Sequence, residues 1–260
     1  LFMYTFGWCR GIEEAEILRS AGFDYIECAL TALKLEDDLA YRELLPRYLD
    51  SPLPASAFNL FFPSDLKVVG PDVDEQRIHR YVAKAAEALH LVGARISVLG
   101  SGRSRRVPEE WEKARAEEQF ARLLERIADE FTGTGVVLAL EPLNRRECNL
   151  VNSVEDACRF VQSINRAPIR ALADFYHMDE ENEPFQTLID HKAWLAHIHL
   201  ADTGRLSPGT GRYPYAEFAA DLRKTGYDGM ISAECTVNEI GEFAPSLAFM
   251  KRHFVEKGLA

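Results

Sequence analysis

Four residues of types that hold metals or move protons sit at one kind of place in this chain: Glu141, Asp174, His199 and Glu234. Each closes a short apolar run, namely Val136 to Leu140, Ile169 to Ala173, Leu195 to His199, and Met230 to Ala233. If these runs are the last four strands of a barrel, their C-terminal ends meet at one mouth, where barrel active sites lie. Three carboxylates and an imidazole converging without a cation would repel, so a divalent metal is the simplest resolution. Three oxygens and one nitrogen, with room for substrate, suit Mn²⁺ first, with Mg²⁺, Co²⁺ or Zn²⁺ as alternatives. No cysteine joins the set, which argues against a structural zinc site. His197 shares the His199 side of its strand and sits deeper, as a core histidine. His177, on the loop leaving the sixth strand, is placed to reach the mouth as a substrate donor. His79, His90, His191 and His253 fall on helices or their ends and read as surface residues.

The elements that must position these residues follow one rhythm. An amphipathic stretch ends in Gly, and a short β-branched run follows. Ala21-Gly22 precedes Phe23 to Glu27, Val92-Gly93 precedes Ala94 to Val98, Gly133 and Gly135 precede Val136 to Leu140, and Gly226 precedes Gly229 to Ala233. Strands are expected to start near Met3, Tyr25, Ala55, Arg95, Val136, Ile169, Leu195 and Met230. Eight strands give about 32 residues per unit, the spacing of a (β/α)8 TIM barrel. A doubly wound sheet is the alternative, but no GxGxxG turn follows a strand. No linker divides the chain, so residues 1–260 read as one α/β barrel domain. Ile78, Val82, Ala85, Ala86 and Leu89 mark one helix face, and Glu109 to Phe131 reads as a long helix. Ser153 with Asp156 resembles a capping box, and Leu247, Phe249, Met250 and Phe254 suit a last helix.

Composition excludes several classes. Lys plus Arg total 30 against 41 for Asp plus Glu, a net charge of −11. That balance argues against nucleic acid as a partner, which needs a basic face. No run of about 18 apolar residues offers a membrane span. The stretch Leu1 to Cys9 is short and lacks a basic leader, so no signal peptide is expected; the missing Met leaves room for preceding residues. Cys9, Cys28, Cys148, Cys158 and Cys235 form no CxxC and read as reduced thiols of a cytoplasmic protein.

Four ordered motifs carry a family likeness: Glu141-Pro142-Leu143-Asn144-Arg145, Asp174-Phe175-Tyr176-His177-Met178, His197-Ile198-His199 and Pro208-Gly209-Thr210-Gly211-Arg212. They resemble the xylose isomerase-like sugar phosphate isomerase/epimerase superfamily, nearest to ketose 3-epimerases of the tagatose/allulose type. The likeness covers Val136 to Cys235; the first half matches only in rhythm. It implies that Glu141, Asp174, His199 and Glu234 are metal ligands and that Glu141 and Glu234 are also the acid/base pair. It implies that Glu147, His177 and Arg205 hold sugar oxygens. Trp8 resembles an aromatic wall residue, with a core position as the alternative. The chain departs from the pattern at Phe175-Tyr176, where Thr-Phe is common, and at Cys235, where Pro is common. The loop Ser101 to Arg106 does not match at all.

The expected reaction is removal of a proton next to a carbonyl, giving an enediolate of a ketose or keto-polyol. Two glutamates on opposite faces would epimerise; one working on one face would isomerise or, with a leaving group, eliminate. A metal-dependent lyase on a keto-sugar, keto-inositol or 3-keto-glycoside is therefore the rival enzyme, and a non-catalytic sugar-binding barrel is a third class. The superfamily's DNA-repair nuclease needs further histidines and an Asp-x-His in the seventh loop, yet Thr203 to Arg212 holds neither Asp nor His. The cluster Arg103, Arg105 and Arg106 either grips an anionic substrate group or forms a solvated loop paired with Glu109 and Glu110. Gly209 and Gly211 lie near where many barrels bind phosphate. By analogy alone, the family's dimers suggest a homodimer; the expected partner is a small carbohydrate.

Overall fold

The computed structural model describes residues 4–255. Its strands are β1 (Thr5–Cys9), β2 (Tyr25–Ala29), β3 (Ala55–Asn59), β4 (Ile96–Leu99), β5 (Val137–Leu140), β6 (Ile169–Asp174), β7 (Leu195–Leu200) and β8 (Met230–Ala233). They pair in parallel in chain order, and β8 closes on β1. The helices are α1 (Ala15–Ala21), α2 (Asp38–Leu49), α3 (Glu75–Val92), α4 (Gly102–Arg105), α5 (Lys113–Phe131), α6 (Val154–Ile164), α7 (Phe175–Glu180), α8 (Gln186–Asp190), α9 (Tyr215–Thr225) and α10 (Phe243–Phe254). This is the (β/α)8 barrel expected from the sequence. Four starts differ, among them the fifth strand, which begins at Val137 rather than Val136. The first strand begins at Thr5, and the expected start at Met3 lies outside the described residues. The fourth begins at Ile96 rather than Arg95. The long helix begins at Lys113 because Pro108 to Trp111 close a turn first, with Trp111 N bonded to Pro108 O at 3.0 Å.

Side chains alternate across each strand, and that alternation sorts the barrel into two layers. Tyr25, Ala57, Ile96, Val98, Ala139 and Leu172 pack with Met230 inside the barrel. Phe6, Trp8, Phe58, Leu138 and Ile231 face outward and pack under the helices. A Cβ at Gly7 would lie 2.2 Å from the Tyr25 ring, so glycine is what admits the tyrosine.

Local signals place the helices. Asp37 caps α2 by accepting from the backbone N–H of Leu39 and Ala40, and Asp74 caps α3 through Arg77. Ser153 accepts from Asp156 N at 3.0 Å, while the Asp156 carboxylate turns back to Asn152 N rather than to Ser153. Gly22 and Gly93 end α1 and α3 in the left-handed conformation, at φ 94° and 77°, and the next strand starts within three residues. The α3 stripe Ile78, Val82, Ala85, Ala86 and Leu89 is buried, as its period requires.

Trp8 takes the core position, not the wall position. Strand alternation points it away from the barrel interior. It is 0% exposed, with its indole 5.5 Å from Phe23 and 4.8 Å from Phe243, centroid to centroid.

Candidate active site

Glu141, Asp174, His199 and Glu234 stand at the ends of β5 to β8, and the barrel brings them together. Each offers a ligand atom, and these atoms all lie within 4.8 Å of one another. His199 Nδ1 is 3.2 Å from Glu141 Oε1, 3.7 Å from Glu234 Oε2 and 3.8 Å from Asp174 Oδ2. Three of the four are buried; the Glu234 side chain keeps 16% of its surface exposed. Gly100, after β4, makes room for the cluster: a Cβ there would lie 2.0 Å from Glu141 Oε2.

The surrounding groups polarise this cluster unequally. Burial raises the Glu141 carboxyl above its ordinary range, and the charge of Glu234 pushes it further the same way. Burial raises Glu234 too, but His199 and Arg205 outweigh it and hold that carboxyl well below its ordinary range. Burial opposes a charge on His199, yet Glu27 and the other partners outweigh it and strengthen its hold on a proton.

Arg205 ties the mouth together. Its Nη2 donates to Glu234 Oε2 at 2.7 Å, its Nη1 donates to Glu147 Oε1 at 3.1 Å, and its guanidinium lies 4.9 Å from the Tyr176 ring centre. The loop that delivers Arg205 winds around buried Asp202, which accepts from the backbone N–H of Thr203, Gly209 and Tyr213. A Cβ at Gly211 would lie 2.3 Å from Asp202 Oδ1. The Gly209/Gly211 pair therefore serves a tight loop around a carboxylate, which would repel a phosphate.

His177 lies on α7 and is only 2% exposed. Asp174 does double duty here, because its Oδ1 caps α7 by accepting from His177 N at 3.1 Å. Asn144 N donates to His177 Nδ1 at 3.1 Å, so Nδ1 is the acceptor and Nε2 carries the hydrogen. That Nε2 is buried and has no partner among the described residues, as befits a donor kept for a ligand. Asn144 Nδ2 also reaches Glu147 Oε1, at 3.1 Å.

The arginine cluster does neither thing expected of it as a unit. Arg105 is fully buried and donates to the Glu141 carbonyl oxygen at 2.6 Å. Arg106 donates to the carbonyls of Arg146 and Glu147. Both brace the backbone that carries Glu141 and Glu147. Arg103 and Arg106 are both exposed, and Arg103 lies on the wall of a cavity of about 480 Å³ between the loops after β3 and β4.

Three further side chains support the cluster. Glu27 lies on β2 and bonds both His197 and His199 at 2.9 Å. Asn59, at the end of β3, donates to Glu234 Oε1 at 3.0 Å. Asn144 sits inside a motif that was read for its glutamate. The Glu27 signal was present: it shares the inward side of its strand with Tyr25, and an inward carboxylate needs a partner. The cysteines are all free thiols, and among the described residues no helix is long and apolar enough to cross a membrane.

A barrel with this cluster at its mouth defines a class, and comparison with known proteins gives it a family. Residues 15–253 match the xylose isomerase-like TIM barrel family, and the chain belongs to it. Its relatives include sugar epimerases. It is 36% identical to the 3-dehydro-D-guloside 4-epimerase of Escherichia coli over 114 residues, 44% of this chain and 42% of that protein. It is 28% identical to an L-ribulose 3-epimerase of Methylomonas over 224 residues, 85% of this chain and 76% of that protein. The matched segment thus spans under half of the first relative and about three quarters of the second. Among solved structures, a D-psicose 3-epimerase determined in the presence of D-fructose superposes with a TM-score of 0.83 at 18% identity, covering 97% of this chain and 100% of the other. The 3-keto-D-glucoside 4-epimerase of E. coli superposes with a TM-score of 0.79 at 22% identity, covering 95% and 99%. At those identities the likeness is one of fold.

Proposed function

We propose that this chain epimerises a ketose or keto-polyol, with one divalent cation held by Glu141, Asp174, His199 and Glu234. The observation that carries the reading is the pair of glutamates flanking one imidazole nitrogen, at 3.2 Å and 3.7 Å from His199 Nδ1. The donor set fits a hard cation: three carboxylates and one imidazole are gathered out of water, and Arg205 pairs with only one of the carboxylates. Mn²⁺ suits the set best, with Mg²⁺, Co²⁺ or Zn²⁺ as alternatives. Such a cation supplies Lewis-acid polarisation of a carbonyl, which acidifies the neighbouring C–H.

The chain's own groups do the rest. Glu141 and Glu234 are the two carboxylates suited to take the proton and return one, and Arg205 steadies Glu234. Because each can serve in either direction, the reaction is reversible through an enediolate of the sugar. Arg205 and the free Nε2–H of His177 hold substrate oxygens, with Glu147 steadied by Asn144 and Arg205. Trp8 drops out of this set because it is walled off by Phe23 and Phe243. The epimerase relatives support this reading over elimination, and no feature of the site favours a leaving group. A single barrel domain over residues 1–260, a cytoplasmic setting and a homodimer are part of the same proposal.

The test is turnover of a ketose panel by protein stripped of metal and resupplied with Mn²⁺. Glu141→Gln and Glu234→Gln should each lower turnover by roughly 10²–10⁴-fold, the usual worth of a positioned acid or base. Normal turnover in either variant contradicts the assignment.

A further inference from the structure

Beneath the four strand-end residues lies a carboxylate that touches two imidazoles. Glu27 is 0% exposed. Its Oε1 is 2.9 Å from His199 Nε2, and its Oε2 is 2.9 Å from His197 Nε2. The two rings cross edge to face, with centroids 5.0 Å apart at 77°. Ser232 Oγ continues the chain, 3.4 Å from His197 Nε2 and 2.7 Å from Tyr25 Oη.

A carboxylate has only acceptors, so an Nε2 in contact with it carries the hydrogen. For His199 that choice fixes the other nitrogen. With Nε2–H given to Glu27, Nδ1, which faces Glu141, Asp174 and Glu234, is the nitrogen that can give its lone pair to a cation bound among them. The opposite tautomer would set a lone pair against a buried carboxylate and an N–H where a ligand atom is needed. His197 bonds the second oxygen of Glu27, so the carboxylate is held at both ends and cannot rotate away.

We propose that Glu27 is a positioning residue of the centre: it fixes His199 as the Nε2–H tautomer and so presents Nδ1 to a divalent cation. The inference rests on the metal-centre reading above. It gives a role to a residue outside the four ligands, and it makes His197 the group that orients Glu27.

Glu27→Gln is the informative variant. It keeps the side-chain size but replaces one acceptor with a donor, so one imidazole loses its partner. Affinity for Mn²⁺, measured by isothermal titration, should fall roughly 10- to 100-fold, the effect typical of groups that orient metal-bound histidines. A merely structural role would lower the unfolding midpoint and leave Mn²⁺ affinity unchanged, and that result overturns the proposal. A second measurement needs neither variant nor metal: long-range ¹H–¹⁵N spectra of the wild-type histidines. They should show a slowly exchanging proton on His199 Nε2. A bare Nε2 with a proton on Nδ1 overturns the proposal whether or not the protein binds metal. If the wild type takes up no Mn²⁺, the metal-centre reading falls, and the spectra alone decide whether Glu27 sets the tautomer.

Discussion

Arg205 binds one of the two glutamates and not the other: its Nη2 lies 2.7 Å from Glu234 Oε2, while its remaining bonds go to Glu147. A fixed positive charge therefore stands beside a single member of the pair. Arg205→Ala removes charge-assisted bonds worth about 1.5–3 kcal/mol each, so kcat/KM should fall roughly 10- to 100-fold. Arg205→Lys keeps the charge but loses the two-pronged geometry and should fall between. Steady-state kinetics on an active ketose measures this. An unchanged alanine variant contradicts the role given to Arg205.

Gathering Glu141, Asp174 and Glu234 around one imidazole stores repulsion that a cation relieves. Chelation should lower the melting temperature, and Mn²⁺ at about a hundred times its Kd should add about 2.7 kcal/mol of stability. Identical melting curves with and without Mn²⁺ would argue against a metal at this place.

Glu183 sets a pH dependence far from the centre. Its oxygens accept from Val154 N, at 2.9 Å and 3.1 Å, at the start of α6. Burial raises its pKa from the ordinary 4.5 to about 7, outweighing the backbone bonds that lower it. The folded protein thus holds this proton more tightly than the unfolded chain. The stabilisation is fully present below the unfolded pKa and is lost as pH rises towards about 7. Glu183→Gln, which cannot titrate, should gain stability relative to wild type between pH 4 and pH 8. Urea midpoints at the two pH values decide it; the same offset at both removes Glu183 as the cause.

Trp8 separates a core role from a substrate role. Trp8→Ala should cost about 3–5 kcal/mol of stability, the range for emptying a large aromatic site. Trp8→Phe should leave KM unchanged in whatever protein folds. A raised KM in a folded, stable Trp8→Phe protein would return the residue to the substrate wall.

The periodic part of this molecule was readable before any coordinates. Glycine at helix ends and the apolar runs after it located the starts of strands such as Tyr25–Ala29 and Met230–Ala233 to within a residue, because short buried strands have few other ways to begin. The four strand-end residues were legible for the same reason: closure of a parallel barrel makes their convergence unavoidable. What sequence could not supply was direction and depth. Arg103, Arg105 and Arg106 read as one cationic loop, but the short α4 turns Arg105 inward to a carbonyl and leaves Arg103 in water. Trp8 and Glu27 lie on neighbouring strands, and only alternation across the barrel sends one to the helix layer and the other to the histidines. Glu27 hid because a single carboxylate in a buried strand has no pattern of its own; its partners lie 170 and 172 residues away.

In the proposed reaction Glu141 and Glu234 move a proton between carbon and solvent. The most direct test is to incubate the Mn²⁺-loaded protein in D₂O with ketoses, keto-inositols and 3-keto-glycosides, then read recovered sugars by mass spectrometry and NMR. The expected product is an epimer carrying one deuterium at the inverted carbon, and none when either glutamate is replaced by glutamine. An epimer free of deuterium, an enone formed with loss of water or an aglycone, or exchange that survives both replacements would contradict it.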